Sequence, residues 1–193
     1  MKIEFDRKTG ASVLVVALLF FGLGYAINND GDHDGMMGNM HGNSASNSSY
    51  SSNDIMFAQM MIPHHQQAIV MSDIALKNST NPDVLALAKQ IKAAQAPEIE
   101  QMKNWGSSMM GSHAGHMMDE GMLNDDEMAQ LKDAKGAEFD RLFLEGMIKH
   151  HQGAIEMADM IIDSANEEAA LLGKNIIESQ SAEIERMRQM LSR

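Results

Sequence analysis

The chain of 193 residues contains no cysteine. Disulfides and thiolate metal sites are therefore both excluded. Positive charge is scarce: 15 Lys and Arg stand against 27 Asp and Glu, for a formal net charge of −12. There is neither a basic patch nor an aromatic platform, which argues against a nucleic-acid partner and suits the attraction of cations. Catalytic signatures are missing too. No Ser-His-Asp arrangement, no phosphate-binding glycine loop and no His-Glu-x-x-His zinc helix is present. The chain reads as a binding protein and not as an enzyme.

What is abundant is methionine, with 20 residues. Thioethers fill gaps in helical cores, which accounts for methionine on apolar helix faces. It does not account for methionine beside Gly, His and Asn in polar stretches.

One stretch occurs twice. Met61-Ile62-Pro63-His64-His65-Gln66-Gln67-Ala68-Ile69-Val70-Met71 returns as Met147-Ile148-Lys149-His150-His151-Gln152-Gly153-Ala154-Ile155-Glu156-Met157, an offset of 86 (147 − 61). Asp54, Phe57 and Asp73 match Asp140, Phe143 and Asp159 at the same offset. Phe57, Met60, Met61, His64, Ala68 and Met71 fall on one stripe of a 3.6-residue helix, and the second copy repeats that stripe. His64 and His150 point along it, while His65 and His151 sit at its shoulder, four residues after Met61 and Met147. Lys149 in place of Pro63 and Gly153 in place of Gln67 break the symmetry, so the two copies are not expected to form equal sites.

The chain divides in order. Residues 1–10 carry Lys2, Arg7 and Lys8, and 11–27 is an uncharged apolar run followed by Asp30, Asp32 and Asp34. This pattern predicts a transmembrane anchor or signal sequence with a cytoplasmic N-terminus and the remainder exported to the periplasm or cell exterior. Gly24-Tyr25-Ala26 is only a weak cleavage site, so an uncleaved membrane anchor is favoured. Residues 28–53 are rich in Asn, Gly, Ser and Asp and predict a disordered tether. Within it His33, Met36, Met37, Met40 and His41 form an auxiliary metal-gathering group.

Residues 54–193 predict a four-helix bundle. The first long helix starts at Asn53 or Asp54 and runs to Lys77, with Pro63 inside it. The second starts at Asn81-Pro82 and runs to Trp105. Loop 106–123 carries Met109, Met110, His113, His116, Met117 and Met118, a second auxiliary group. Asn124 and Glu127 open a short helix that stops near Gly136. The third long helix spans Ala137 to Ser164 and the fourth starts at Asn166. Gln95, Glu98 and Met102 on the second helix match Gln180, Glu183 and Met187 on the fourth at an offset of 85 (180 − 95). The repeat is thus a whole helical hairpin. Either an up-down order or a long crossover places His64 and His150 at mid-height.

Thioether is a soft donor that selects Cu(I), and imidazole suits Cu, Zn, Fe and Ni. Together, without thiols and outside the cytoplasm, they point to copper, with Cu(I) ahead of Cu(II). Gln95, Glu98, Gln180 and Glu183 are polar groups on apolar stripes, expected to hydrogen-bond the imidazoles rather than to bind the ion. A di-iron oxidase needs Glu-x-x-His on two helices, and neither Glu98 nor Glu183 has it.

The doubled M-I-x-H-H-Q-x-A-I-x-M segment, with Phe139-Asp140-x-x-Phe143 before the second copy, resembles the exported bacterial proteins labelled domain of unknown function three hundred and five. The resemblance covers about Asp54 to Arg193. It implies a ferritin-like four-helix bundle and, as in at least some members, copper binding and resistance. The matching positions are His64, His65, His150 and His151 with Met61, Met71, Met147 and Met157. The tether and mid-loop donors are not carried over by the resemblance. The expected function is sequestration or hand-over of copper ions, with a copper-transfer protein as a candidate partner. The alternatives are a metal-free interaction module with core histidines and, more remotely, a ferritin-like metal-dependent oxidase.

Overall fold

The computed structural model describes residues 50–106 and 120–193. The apolar run 11–27, the tether donors His33, Met36, Met37, Met40 and His41, and the loop donors Met109, Met110, His113, His116, Met117 and Met118 lie outside the described residues. Among the described residues the fold is all-α: α1 (Ser52–Asn78), α2 (Pro82–Lys103), α3 (Asp125–Asp133), α4 (Gly136–Ala158) and α5 (Glu167–Leu191). None of these helices is long and apolar enough to cross a membrane.

The helix ends follow from local chemistry. The cap of α1 is Ser51, not Asn53 or Asp54. Its hydroxyl accepts from the Asp54 amide at 3.2 Å, while the Asp54 carboxylate accepts from the Ser51 amide at 2.7 Å. Asp54 is thus the returning half of a capping box. The same reciprocal pair opens α3, where Asn124 and Glu127 bond each other's amides at 2.9 and 2.8 Å. Asn81 caps α2 and Pro82 takes its first position, where a missing N–H costs nothing. Helix α4 stops at Ala158, short of Ser164. Beyond it the backbone bonds tighten to three-residue steps, such as Ser164 N to Ile161 O at 3.0 Å, which turns Ile161 inward. Gly173 makes room for it: a Cβ there would lie 2.9 Å from Ile161 Cγ1.

Helix directions can be read from the contacts between them. Asp73 of α1 is bridged to Lys92 of α2, and His65 to Glu98, so α1 and α2 are antiparallel. Ser79, just after α1, bonds Asp140 near the start of α4 at 2.5 Å, and His64 meets His150, so α1 and α4 are antiparallel. Arg186 of α5 reaches Gln90 of α2 while Gln101 reaches Glu168, so these two also run oppositely. Helices α2 and α4 therefore point the same way, so their connection joins opposite ends of the bundle. It leaves at Trp105, packed with Phe57 at one end. It arrives at the other end, where Asn78 bonds the Lys132 and Ala134 carbonyls. The long-crossover order is thus the one adopted.

The core is split in two. Phe57, Met61, Met102, Ala154, Met157 and Ile176 belong to one apolar cluster. Ala68, Met71, Leu87, Phe143, Met147 and Met187 belong to the other. Between them, along α1 and α4, lie the four histidines, all buried.

Candidate metal centre

Helix geometry alone puts the histidines in this layer. His64 and His65 project about 100° apart from α1, one toward α4 and the other toward α2. His150 and His151 do the same from α4, toward α1 and α5. The rings of His64 and His150 lie against each other in a tilted arrangement, with centroids 3.7 Å apart and planes 36° from parallel. Each stands 6.5 or 6.2 Å from the adjacent ring in its own pair.

Every Nε2 has a partner. His65 bonds Glu98 Oε2 and His151 bonds Glu183 Oε2, both at 2.7 Å. His64 bonds the Glu120 carbonyl at 3.0 Å, and His150 bonds the His64 carbonyl at 2.9 Å. A carbonyl oxygen only accepts, so Nε2 of His64 and of His150 carries the proton and donates it. The carboxylates of Glu98 and Glu183 accept in the same way from His65 and His151.

Every Nδ1 is the opposite. All four are buried and have no hydrogen-bond partner. With the proton on Nε2, the Nδ1 atoms of His64 and His150 present bare lone pairs to the interior. This is the imidazole form that binds metals, with the far nitrogen anchored to a carboxylate or carbonyl. Burial, and then the neighbouring His65, hold His64 down at about 3. Burial, and then His64, hold His150 well below its ordinary value of 6.5. Both rings are neutral at pH 7, so no proton stands between these nitrogens and a cation.

The carboxamides behave differently from the carboxylates. Neither polar atom of Gln95 has a partner, and Oε1 of Gln180 has none, although both side chains are buried. Each lies one helical turn before Glu98 or Glu183.

Methionine surrounds this layer on both sides. Met61, Met102 and Met157 belong to one cluster, and their repeat equivalents Met147, Met187 and Met71 to the other. Met102 and Met187 are inward-facing residues whose thioethers complete these sets. Their sequence signals were a place on the inward stripes of Glu98 and Glu183 and the matching offset of 85. Among the described residues no group of three or more His, Asp or Glu side chains is arranged to hold an ion. A metal taken here would draw on imidazole and thioether together. That combination is chemically suited to a soft cation.

The residue with no counterpart in the sequence reasoning is Glu120, whose carbonyl holds His64. Gln67 bonds the same segment, donating to the Leu123 carbonyl and accepting from its amide, both at 2.8 Å.

Residues 54–191 match the family described as Domain of unknown function (DUF305). Among solved structures, a DUF305 fragment from Deinococcus radiodurans is 30% identical, with TM-score 0.64, covering 74% of this chain and 97% of that one. A DUF305 protein from Streptomyces coelicolor, described as secreted, is 30% identical, with TM-score 0.67, covering 73% and 91%. CopM in its Cu(II)-bound form is 38% identical, with TM-score 0.60, covering 71% and 94%. CopM has also been solved with Cu(I) and with silver. No curated protein matches the chain.

Proposed function

This chain belongs to the DUF305 family, and from that premise we propose that it is an extracytoplasmic copper-binding protein that sequesters or hands over copper ions. The observation that carries the proposal is the set of four buried, unpartnered Nδ1 atoms, each on an imidazole whose other nitrogen is already anchored. The bound forms of CopM, with Cu(I), Cu(II) and silver, support the choice of metal. We assign His64, His65, His150 and His151 as imidazole donors and Met61, Met71, Met147 and Met157 as thioether donors. Cu(I) is favoured because buried thioethers beside neutral imidazoles suit the softer, singly charged ion. The role is binding, not catalysis.

We further propose that residues 11–27 export the chain and anchor it to the membrane, and that the methionines of the tether and mid-loop collect copper for the bundle. The discriminating experiment is metal analysis of protein purified without a histidine tag from copper-supplemented cells. Copper at or above one ion per chain supports the reading. Protein free of copper, and unable to take up Cu(I) on reconstitution, would leave the histidines as core hydrogen-bonding groups of an interaction module.

A further inference from the structure

The two copies of the motif differ at Pro63/Lys149, Gln67/Gly153 and Val70/Glu156, and of these residues Gln67, Lys149 and Gly153 meet the returning chain. Gln67 grips the Leu123 backbone at both its N–H and its C=O. On the opposite helix Gly153 lies under the same segment, where a Cβ would come 2.3 Å from the Glu120 oxygen and 2.9 Å from Gly121 Cα. Gly121 itself sits at φ +72°, and a Cβ on it would lie 2.6 Å from the Lys149 oxygen. Only glycine both adopts this left-handed backbone without strain and avoids a collision there. Lys149 reaches Glu127, the capping residue of α3, at 3.0 Å. Leu123 is buried over Gly146, whose Cβ would be 3.1 Å from Leu123 Cδ2. At Gln67, Lys149 and Gly153 the broken symmetry of the repeat is therefore the imprint of one strap, Glu120–Leu123, crossing one face of α1 and α4.

The strap meets the histidine layer through a backbone carbonyl. The Glu120 carbonyl accepts from His64 Nε2, whereas His150 is held by a helical carbonyl of α1. An anchor within a helix moves only with the helix. An anchor on a strap can let go while the bundle stays folded. We propose that Gln67 and Gly153 are positioning residues that seat this strap, that the strap fixes the tautomer and orientation of His64, and that metal enters and leaves the centre on the His64 side when the strap lifts. The exchange half of this proposal rests on the copper reading above; the orienting half does not.

Two substitutions lift the strap from opposite helices. Gln67→Leu removes both hydrogen bonds to Leu123. Gly153→Ala puts a methyl group against Glu120 while improving the helix propensity of α4. Their effects on helix stability differ, so a shared phenotype at His64 reports the strap. The measurements, on the full chain, are nitrogen NMR of the His64 ring and the rate at which silver(I), a redox-inert stand-in for Cu(I), passes to a competing chelator. Wild type should show protonated Nε2 and bare Nδ1. Both variants should show mixed tautomers and release silver about 10-fold faster, as expected when one or two neutral hydrogen bonds are lost. Should one variant fail to fold, the other decides. An unchanged His64 spectrum and an unchanged release rate would overturn the proposal. A wild-type protein that takes up no silver would defeat the copper reading alone, and the His64 spectra would still decide whether the strap orients the ring.

Discussion

Acid should destabilise the metal-free protein through His64 and His150, with a slope fixed by their burial. Both rings are held neutral in the folded state, His64 down at about 3 and His150 well below 6.5. In the unfolded chain they titrate near the ordinary 6.5. Below that pH the unfolded state binds protons that the folded state refuses, so stability is full above 6.5 and falls as pH drops toward the folded values. His64 contributes at most about 1.4 kcal/mol per pH unit over that window. Between pH 6.5 and 5 His64 alone removes about 2 kcal/mol and His150 acts in the same direction, a large share of the roughly 5–15 kcal/mol available to a domain. Urea unfolding followed by helical circular dichroism, and independently by the single tryptophan Trp105, measures this directly. The control is His64→Asn with His150→Asn, which removes the titrating rings and should flatten the curve by that amount. Equal pH slopes in the wild type and the double variant would refute the assignment of neutral buried rings.

Other perturbations test the remaining parts. Glu98→Ala and Glu183→Ala each leave an Nε2–H buried without an acceptor and should each cost about 1–3 kcal/mol in urea unfolding. Copper affinity should fall about 10- to 100-fold in the same variants, read by chelator competition. Met102→Leu with Met187→Leu keeps the core volume and should cost under about 1.5 kcal/mol per site, yet weaken Cu(I) binding if these thioethers ligate. Replacing Met36, Met37, Met40, Met109, Met110, Met117 and Met118 by Leu should lower total copper capacity, by elemental analysis, while sparing the tightest site. Loss of that tightest site would make the loops its source.

The helices were legible because a 3.6-residue stripe and a constant offset are local signals, repeated in two places. The start of α1 was not, because Ser51, Ser52, Asn53 and Asp54 all have capping chemistry, and only the reciprocal bonds of Ser51 and Asp54 select one. The end of α4 depends on Ile161 finding room beside Gly173, a contact between helices that no window along the chain contains. The crossover was equally hidden. Its mark on the sequence was Gly153 opposite Gln67, visible as lost symmetry but explained only by a third segment packed between them. Histidine placement could be read from spacing, but not the tautomers, which follow from partners 56 to 86 residues away at His64 and His150. Glu98 and Glu183 stood out as acids on apolar stripes, and they bond His65 and His151. Gln95 and Gln180 shared that signal, yet their oxygens meet no partner.

The central claim is that the buried histidine layer binds copper. The most direct test is competition for Cu(I) against a chromophoric chelator, comparing the untagged wild type with His64→Ala/His150→Ala, each checked for helical content without metal. The account predicts saturable uptake by the wild type and markedly weaker uptake by a double variant that stays helical. Uptake no tighter than that of an unrelated acidic helical bundle would contradict it, as would a double variant that unfolds without metal.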